Sequence, residues 1–159
     1  MGNNLFIKET NQDDFKELNK EGILKMKTKV FNQKKISFIF IFILVLSIAI
    51  LNTIGNELFL YWKLWWFDII MHFLGGLWVG MSALWIYYFS GFFGNLRKDP
   101  PFIFLLSFLS VLAIGLGWEV FEFLIEIDFS NHYVSDTALD LIMDIVGGII
   151  ASIMFLRVK

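Results

Sequence analysis

The chain has 159 residues, of which 57% are hydrophobic, 18% aromatic and only 18% charged, with a mean hydropathy of +0.68. A water-soluble domain of this size would need more polar surface to cover its core, so the composition points to a lipid-embedded class. The absence of cysteine excludes disulfides, thiolate metal ligands and cysteine nucleophiles. A net charge of -2 says little, because its distribution carries the information.

Residues 1–35 read as a cytoplasmic tail rich in lysine, and residues 36–159 as a helical transmembrane domain. The tail does not read as a cleaved signal. It is polar, carries Asp13, Asp14 and Glu17, and offers no small-residue cleavage site before the first apolar run. Nor is it a myristoylation signal, since Phe6 stands where a Ser or Thr is wanted. Recurrence of Phe15, Leu18 and Leu24 suggests some helix in it.

Crossing roughly 30 Å of hydrocarbon takes about 20 residues of helix. Four segments meet that length, near residues 36–54, 68–90, 102–127 and 136–156. The expected fold is therefore all-α and polytopic, with about four transmembrane helices. Between the first two spans lies the stretch 57–67, with Tyr61, Trp62, Trp65 and Trp66, a density that suits an interfacial segment or a short re-entrant piece rather than a fifth span. Pro100-Pro101 breaks the chain just before the third span.

Lysine and arginine set the expected orientation. Lys8, Lys16, Lys20, Lys25, Lys27, Lys29, Lys34 and Lys35 precede the first span. Arg97 and Lys98 follow the second, and Arg157 and Lys159 follow the fourth, whereas the other side has only Lys63. By the positive-inside rule, both termini and the middle loop are expected to face the cytoplasm, and a multi-pass protein of the plasma membrane is the expected localisation. The tail lysines also suit anionic lipid.

This topology gathers the ionisable residues in the outer half of the bilayer. Asp68 starts the second span with His72 one turn deeper. Glu119 and Glu122 lie in the outer half of the third span, and Asp136, Asp140 and Asp144 run down the fourth. Spacings of three and four put each set on one helix face. Glycines near those faces, at 75, 76, 80, 115, 117, 147 and 148, would let the helices approach closely. Asp136 also suits a helix cap beside Ser135, and Asp68 a helix N-terminus. Capping cannot account for Asp140 or Asp144. Glu126 and Asp128 are expected in water at the outer surface, His132 is a further ligand candidate in the outer loop, and Trp118 reads as packing.

An ionised group at mid-bilayer costs about 2.5–3.5 kcal/mol on insertion scales, so six carboxylates would cost about 15 kcal/mol or more. Compensation requires protonation, a bound cation or a water-filled cavity. A divalent metal ion is the economical answer, because no lysine or arginine lies within the spans near these acids.

The series Asp68-x3-His72 with Gly75-Gly76, Trp118-Glu119-x2-Glu122, and Asp136-Thr137-x2-Asp140-x3-Asp144-x2-Gly147 resembles the YjdF-like family of small membrane proteins. More distantly it resembles VanZ-like proteins, which also set a histidine, an outer glutamate and a late aspartate on successive helices. The resemblance covers the second to fourth spans and implies a polytopic helical fold, without a settled reaction. Glu122 and Asp144 depart from the VanZ-like pattern, where more neutral residues are expected.

The leading expectation is a metal-dependent hydrolase or transferase acting on a membrane lipid or lipid-linked substrate, with no nucleic acid involved. His72, Glu119, Asp136, Asp140 and Asp144 are the candidate metal ligands. Glu122 is the candidate general base, with Asp68 orienting His72 or completing the metal site. Ser82 lies about three turns from His72, too far for a Ser–His–Asp arrangement. Ion or proton translocation is the second reading and interhelical glue the third. The apolar inner halves of the spans weigh against a complete pathway.

Overall fold

The structure, a computed structural model, describes residues 12–97, 99–125 and 133–158. These form α1 (Gln12–Glu57), the single turn α2 (Leu60–Lys63), α3 (Trp65–Phe89), α4 (Pro100–Leu124) and α5 (Tyr133–Val158). There is no strand among the described residues. Four of the helices, α1, α3, α4 and α5, are long and apolar enough to cross a membrane, and the protein is an all-α polytopic membrane protein. The expected positions Asp13, Asp14, Lys98, Glu126, Asp128, His132 and Lys159 either lie outside the described residues or have no described side chain.

Two boundaries differ from the sequence reading. No break separates tail from first span: α1 runs for 46 residues without interruption. At 1.5 Å per residue that is about 69 Å, more than twice the hydrocarbon thickness. The aromatic stretch before α3 is also shorter than expected, because Trp65, Trp66 and Phe67 already belong to α3. What remains between the spans is α2, framed by Phe59 in the left-handed region (φ 56) and by extended Leu64 (φ -128). The left-handed residue turns the chain back on itself, a conformation that an aromatic side chain adopts only where its surroundings hold it. Pro100 and Pro101 open α4, where the missing N–H groups would have had no intrahelical partner.

α3, α4 and α5 pack against one another, with α3 and α5 the most intimate pair, and α1 lies mainly against α3. A four-residue repeat explains the arrangement. The buried residues of α4 are Ile103, Ser107, Val111, Gly115 and Glu119. On α3 the same spacing gives His72, Gly76, Gly80 and Leu84, all buried. Each stripe passes from apolar bulk through small residues to an ionisable group. At the small residues, the helices touch backbone to backbone. A Cβ on Gly147 would overlap the Phe73 carbonyl, and one on Gly80 would lie 2.6 Å from Ser107 Oγ. The hydroxyls of Ser107 and Ser152 both donate to the Gly148 carbonyl, at 2.9 and 3.0 Å, joining α4 to α5 at that level.

Apolar clusters fill the rest. Leu44 of α1 meets Leu77, Met81 and Ala151, and Leu84, Ile103 and Phe155 close the end remote from the carboxylates.

Candidate functional site

His72 is buried on α3, with a carboxylate beside each ring nitrogen. Nδ1 lies 3.4 Å from Asp144 Oδ2 on α5, and Nε2 lies 3.8 Å from Asp68 Oδ1, one turn back on α3. Two sets of donor atoms surround it. Asp68, His72 and Asp140 can each present a ligand atom within 4.8 Å of the others, and so can His72, Glu119 and Glu122. Three helices therefore deliver five carboxylates to one imidazole.

Helix geometry explains how these residues meet. Asp68 and His72 share a face at a spacing of four, as do Asp140 and Asp144, while Glu119 and Glu122 are three apart. The faces can converge because the helices approach at glycine. A Cβ on Gly115 would lie 2.6 Å from Asp144 Oδ2, so only glycine there admits the carboxylate against α4. Gly75 borders the same group, with Asp144 Oδ1 3.8 Å from its built Cβ.

Burial is deep for ionisable groups. Glu119, Asp140, Asp144 and His72 are each no more than 7% exposed. Asp68 and Glu122 are half-buried, and Asp136 is exposed. Asp136 therefore stands apart from the other acids: it belongs to neither set of converging donors and occupies the first turn of α5. Its charge still reaches Asp68 and Asp140.

Among the described residues, no lysine or arginine pairs with these carboxylates. α3 and α4 carry no lysine or arginine, and α5 has only Arg157 at its far end. Lys63, the base nearest in sequence, donates to the Leu58 carbonyl at 2.8 Å, with its ammonium 5.9 Å from the centre of the Phe59 ring. An uncompensated charge in hydrocarbon is expensive, so the donor set of oxygens and one imidazole nitrogen fits a hard or borderline divalent cation.

Two site neighbours escaped the sequence reading. Thr137, whose hydroxyl is buried, lies beside Glu119. Its place in the run Asp136-Thr137 put it on the flank of the acidic stripe, which was a usable signal. Tyr61 on α2 is the other. Its hydroxyl donates to Asn52 Oδ1 of α1 at 2.8 Å, and its ring meets that of Phe67 edge to face at 4.9 Å. Burial pushes its phenol up to about 12, with the charges of Asp68 and Glu122 adding to the shift. Tyr61 therefore lies within electrostatic reach of the carboxylate cluster, a position no spacing rule gives, because it depends on the left-handed turn at Phe59.

Ser82 lies ten residues beyond His72 on α3, about 15 Å along the axis. It is not within reach of the imidazole as a nucleophile.

These features define a polytopic helical membrane protein with a buried carboxylate–histidine cluster at one end of its bundle. Residues 23–159 match the family described as "Predicted membrane protein (DUF2238)", and the chain belongs to that family. The match begins within α1 and includes every site residue. Searches of curated proteins and of solved structures each returned no match.

Proposed function

We propose that this protein is a metal-dependent hydrolase or transferase whose site lies in the outer half of the bilayer and acts on a membrane lipid or lipid-linked substrate. The convergence of carboxylates from three helices on one buried imidazole carries the reading. Asp68, His72 and Asp140, which can each present a ligand atom within 4.8 Å of the others, would hold a divalent cation. Asp144, 3.4 Å from Nδ1, would accept a hydrogen bond from Nδ1–H and so hold the tautomer that leaves Nε2 as a ligand. Glu119 faces the same imidazole and completes or adjusts the ligand set. Asp136, exposed in the first turn of α5, would add negative charge at the mouth of the site.

A bound cation supplies Lewis acidity and lowers the pKa of water. The chain's own residues do the remaining work. Glu122, half-buried at the mouth, receives the proton of the attacking water. Tyr61, neutral at physiological pH and held by its hydrogen bond to Asn52, lies within electrostatic reach of Asp68 and Glu122. Exposed Trp62, Trp65 and Trp66 around α2 suit the headgroup layer, which supports a site at the level of lipid headgroups. In this reading the lysine-rich end of α1 and the loop bearing Arg97 face the cytoplasm of a plasma-membrane protein.

A second reading rests on a different aspect of the geometry. An imidazole with a carboxylate beside each nitrogen is also suited to relaying a proton. Against a through-going path, Leu84, Ile103 and Phe155 pack the remote end with apolar bulk.

Elemental analysis of protein purified in mild detergent separates the two. About one or two divalent ions per chain, lost in Asp140→Asn and Glu119→Gln with helicity intact, is the expected result. A metal-free wild type, even after incubation with Mg²⁺, Mn²⁺ and Zn²⁺, sinks the metalloenzyme and favours the relay.

A further inference from the structure

The face that α1 lays on α3 does not stop where α3 stops. In the membrane half, Ser37 and Leu44 are buried at 7% and 8% exposure. Phe40, Ile41 and Ile48 pack with Leu44 against Leu77 and Met81 of α3. The lower end of this contact is fixed by Trp85, whose Nε1 donates to the Lys34 carbonyl at 3.2 Å. Followed toward the N-terminus at alternating steps of three and four, the same face continues through Gln33, Val30, Met26, Ile23 and Asn19. Such spacing keeps one narrow seam turned in one direction. Every residue on it from Asn19 to Ser37 is uncharged, although eight lysines and glutamates surround it between positions 17 and 35.

α3 ends at Phe89, about one turn past Trp85, so the seam below that level extends beyond its partner. Val30, Met26 and Ile23 are 49%, 63% and 43% exposed, and a Cβ on Gly22 would meet nothing within 4 Å. Charges are sorted around this seam. Lys20 and Lys27 flank one side and Lys29 the other, whereas Glu17 and Glu21 lie toward the back, where Glu21 pairs with Lys25 at 3.5 Å. A protruding helix of this composition gains little from propensity alone, because most helical stability comes from packing an apolar face.

Three occupants are conceivable, and the geometry favours one. A second copy in the same membrane would be parallel, and an α1–α1 pairing along this seam would put the partner's span where α3 already lies. A lipid surface is less suited to it, because α1 runs unbroken out of its span, with Lys34 and Lys35 next to the apolar run and residues 19–33 farther along the helix. We propose that residues 19–33 of α1 are a docking seam for an amphipathic helix of another protein, one with an apolar stripe flanked by acidic residues. The seam continues an interface already formed with α3, and its lysine borders call for acidic ones opposite. This inference is independent of the metal site.

The test uses the full chain in nanodiscs and three fluorescent peptides. One is a helix with leucines at heptad core positions and glutamates beside them, one carries lysines in place of the glutamates, and one is an acidic peptide with the stripe scrambled. Anisotropy titration should show the acidic amphipathic peptide binding at least about tenfold more tightly than either other peptide. Met26→Asp and Val30→Asp should each abolish that preference, while Leu24→Asp, on another face, should leave it intact. Unchanged circular dichroism keeps a binding loss from being mistaken for a melted helix. Equal affinity for the scrambled peptide, or equal damage from Leu24→Asp, would overturn the proposal. So would dimers that Met26→Asp disrupts, or a peptide displaced by anionic vesicles, since each assigns the seam to another occupant.

Discussion

Gly76 of α3 rests its bare Cα against the main chain of Asp144 on α5, so that any side chain at position 76 would overlap the Asp144 carbonyl. Four residues earlier on α3, His72 faces the Asp144 carboxylate. The same residue of α5 thus serves packing through its backbone and the site through its side chain. Close approach of these two helices is what brings the imidazole and the carboxylate within reach.

Gly76→Ala should therefore weaken both. Overpacking a close helix contact costs about 1–3 kcal/mol, and thermal unfolding in detergent should show the chain melting earlier. Gly117→Ala is the control, because a Cβ there meets nothing within 4 Å. Equal melting temperatures for the two variants would show that the α3–α5 contact is looser than described.

The proposed division between ligands and orienting groups predicts a graded response to mutation. Loss of a partner that orients a ligating histidine lowers metal affinity by about 10–100-fold rather than abolishing it. Asp144→Asn should behave in that way, while His72→Ala and Asp140→Asn should lose binding altogether. Thermal shift reads the difference directly: a cation at about 100 times its Kd stabilises the folded state by about 2.7 kcal/mol. Asp144→Asn should need correspondingly more cation for the same shift. If Asp144→Asn and Asp140→Asn respond identically, Asp144 is a ligand and the division is wrong.

Tyr61 makes the electrostatics of the cluster measurable from outside the spans. Its phenol is pushed up to about 12 by burial, then by Asp68 and Glu122, against about 10 in an unfolded chain. The folded state therefore holds this proton more tightly. Its contribution to stability is complete below about pH 10 and is lost as pH rises toward 12. Phenolate absorbance of the chain, less that of Tyr61→Phe, should place the transition above that of free tyrosine. Asp68→Asn and Glu122→Gln should each bring it down. A Tyr61 that titrates near pH 10 would remove α2 from the site.

The spans were legible in the sequence because their apolar runs exceed what a soluble helix needs, and their four-residue spacing gave Asp68 with His72 and Asp140 with Asp144. The mutual azimuth of the helices was not legible. The acids of α5 can be assigned to one face from spacing alone, but not sorted around His72. Only the glycine contacts decide that Asp144 meets Nδ1, that Asp140 groups with Asp68, and that Asp136 stays exposed. The continuity of α1 was hidden for another reason. Lysines change the solubility of a helix without ending it, and no proline lies between residues 12 and 57 to do so.

Orientation remains a prediction of charge, and the cysteine-free sequence makes it simple to examine. Trp62 on α2 and Phe92 beyond α3 are 71% and 85% exposed, at opposite ends of the bundle. Single variants Trp62→Cys and Phe92→Cys introduce the only thiol in each protein. In intact cells, a membrane-impermeant maleimide should label position 62, and position 92 only after permeabilisation. The site would then open toward the outer leaflet, where a lipid-linked substrate or an external cation reaches Glu122 and Asp136 first. The reverse pattern would turn the site toward the cytoplasm and put the α1 docking seam outside the cell, beyond the reach of any cytosolic partner.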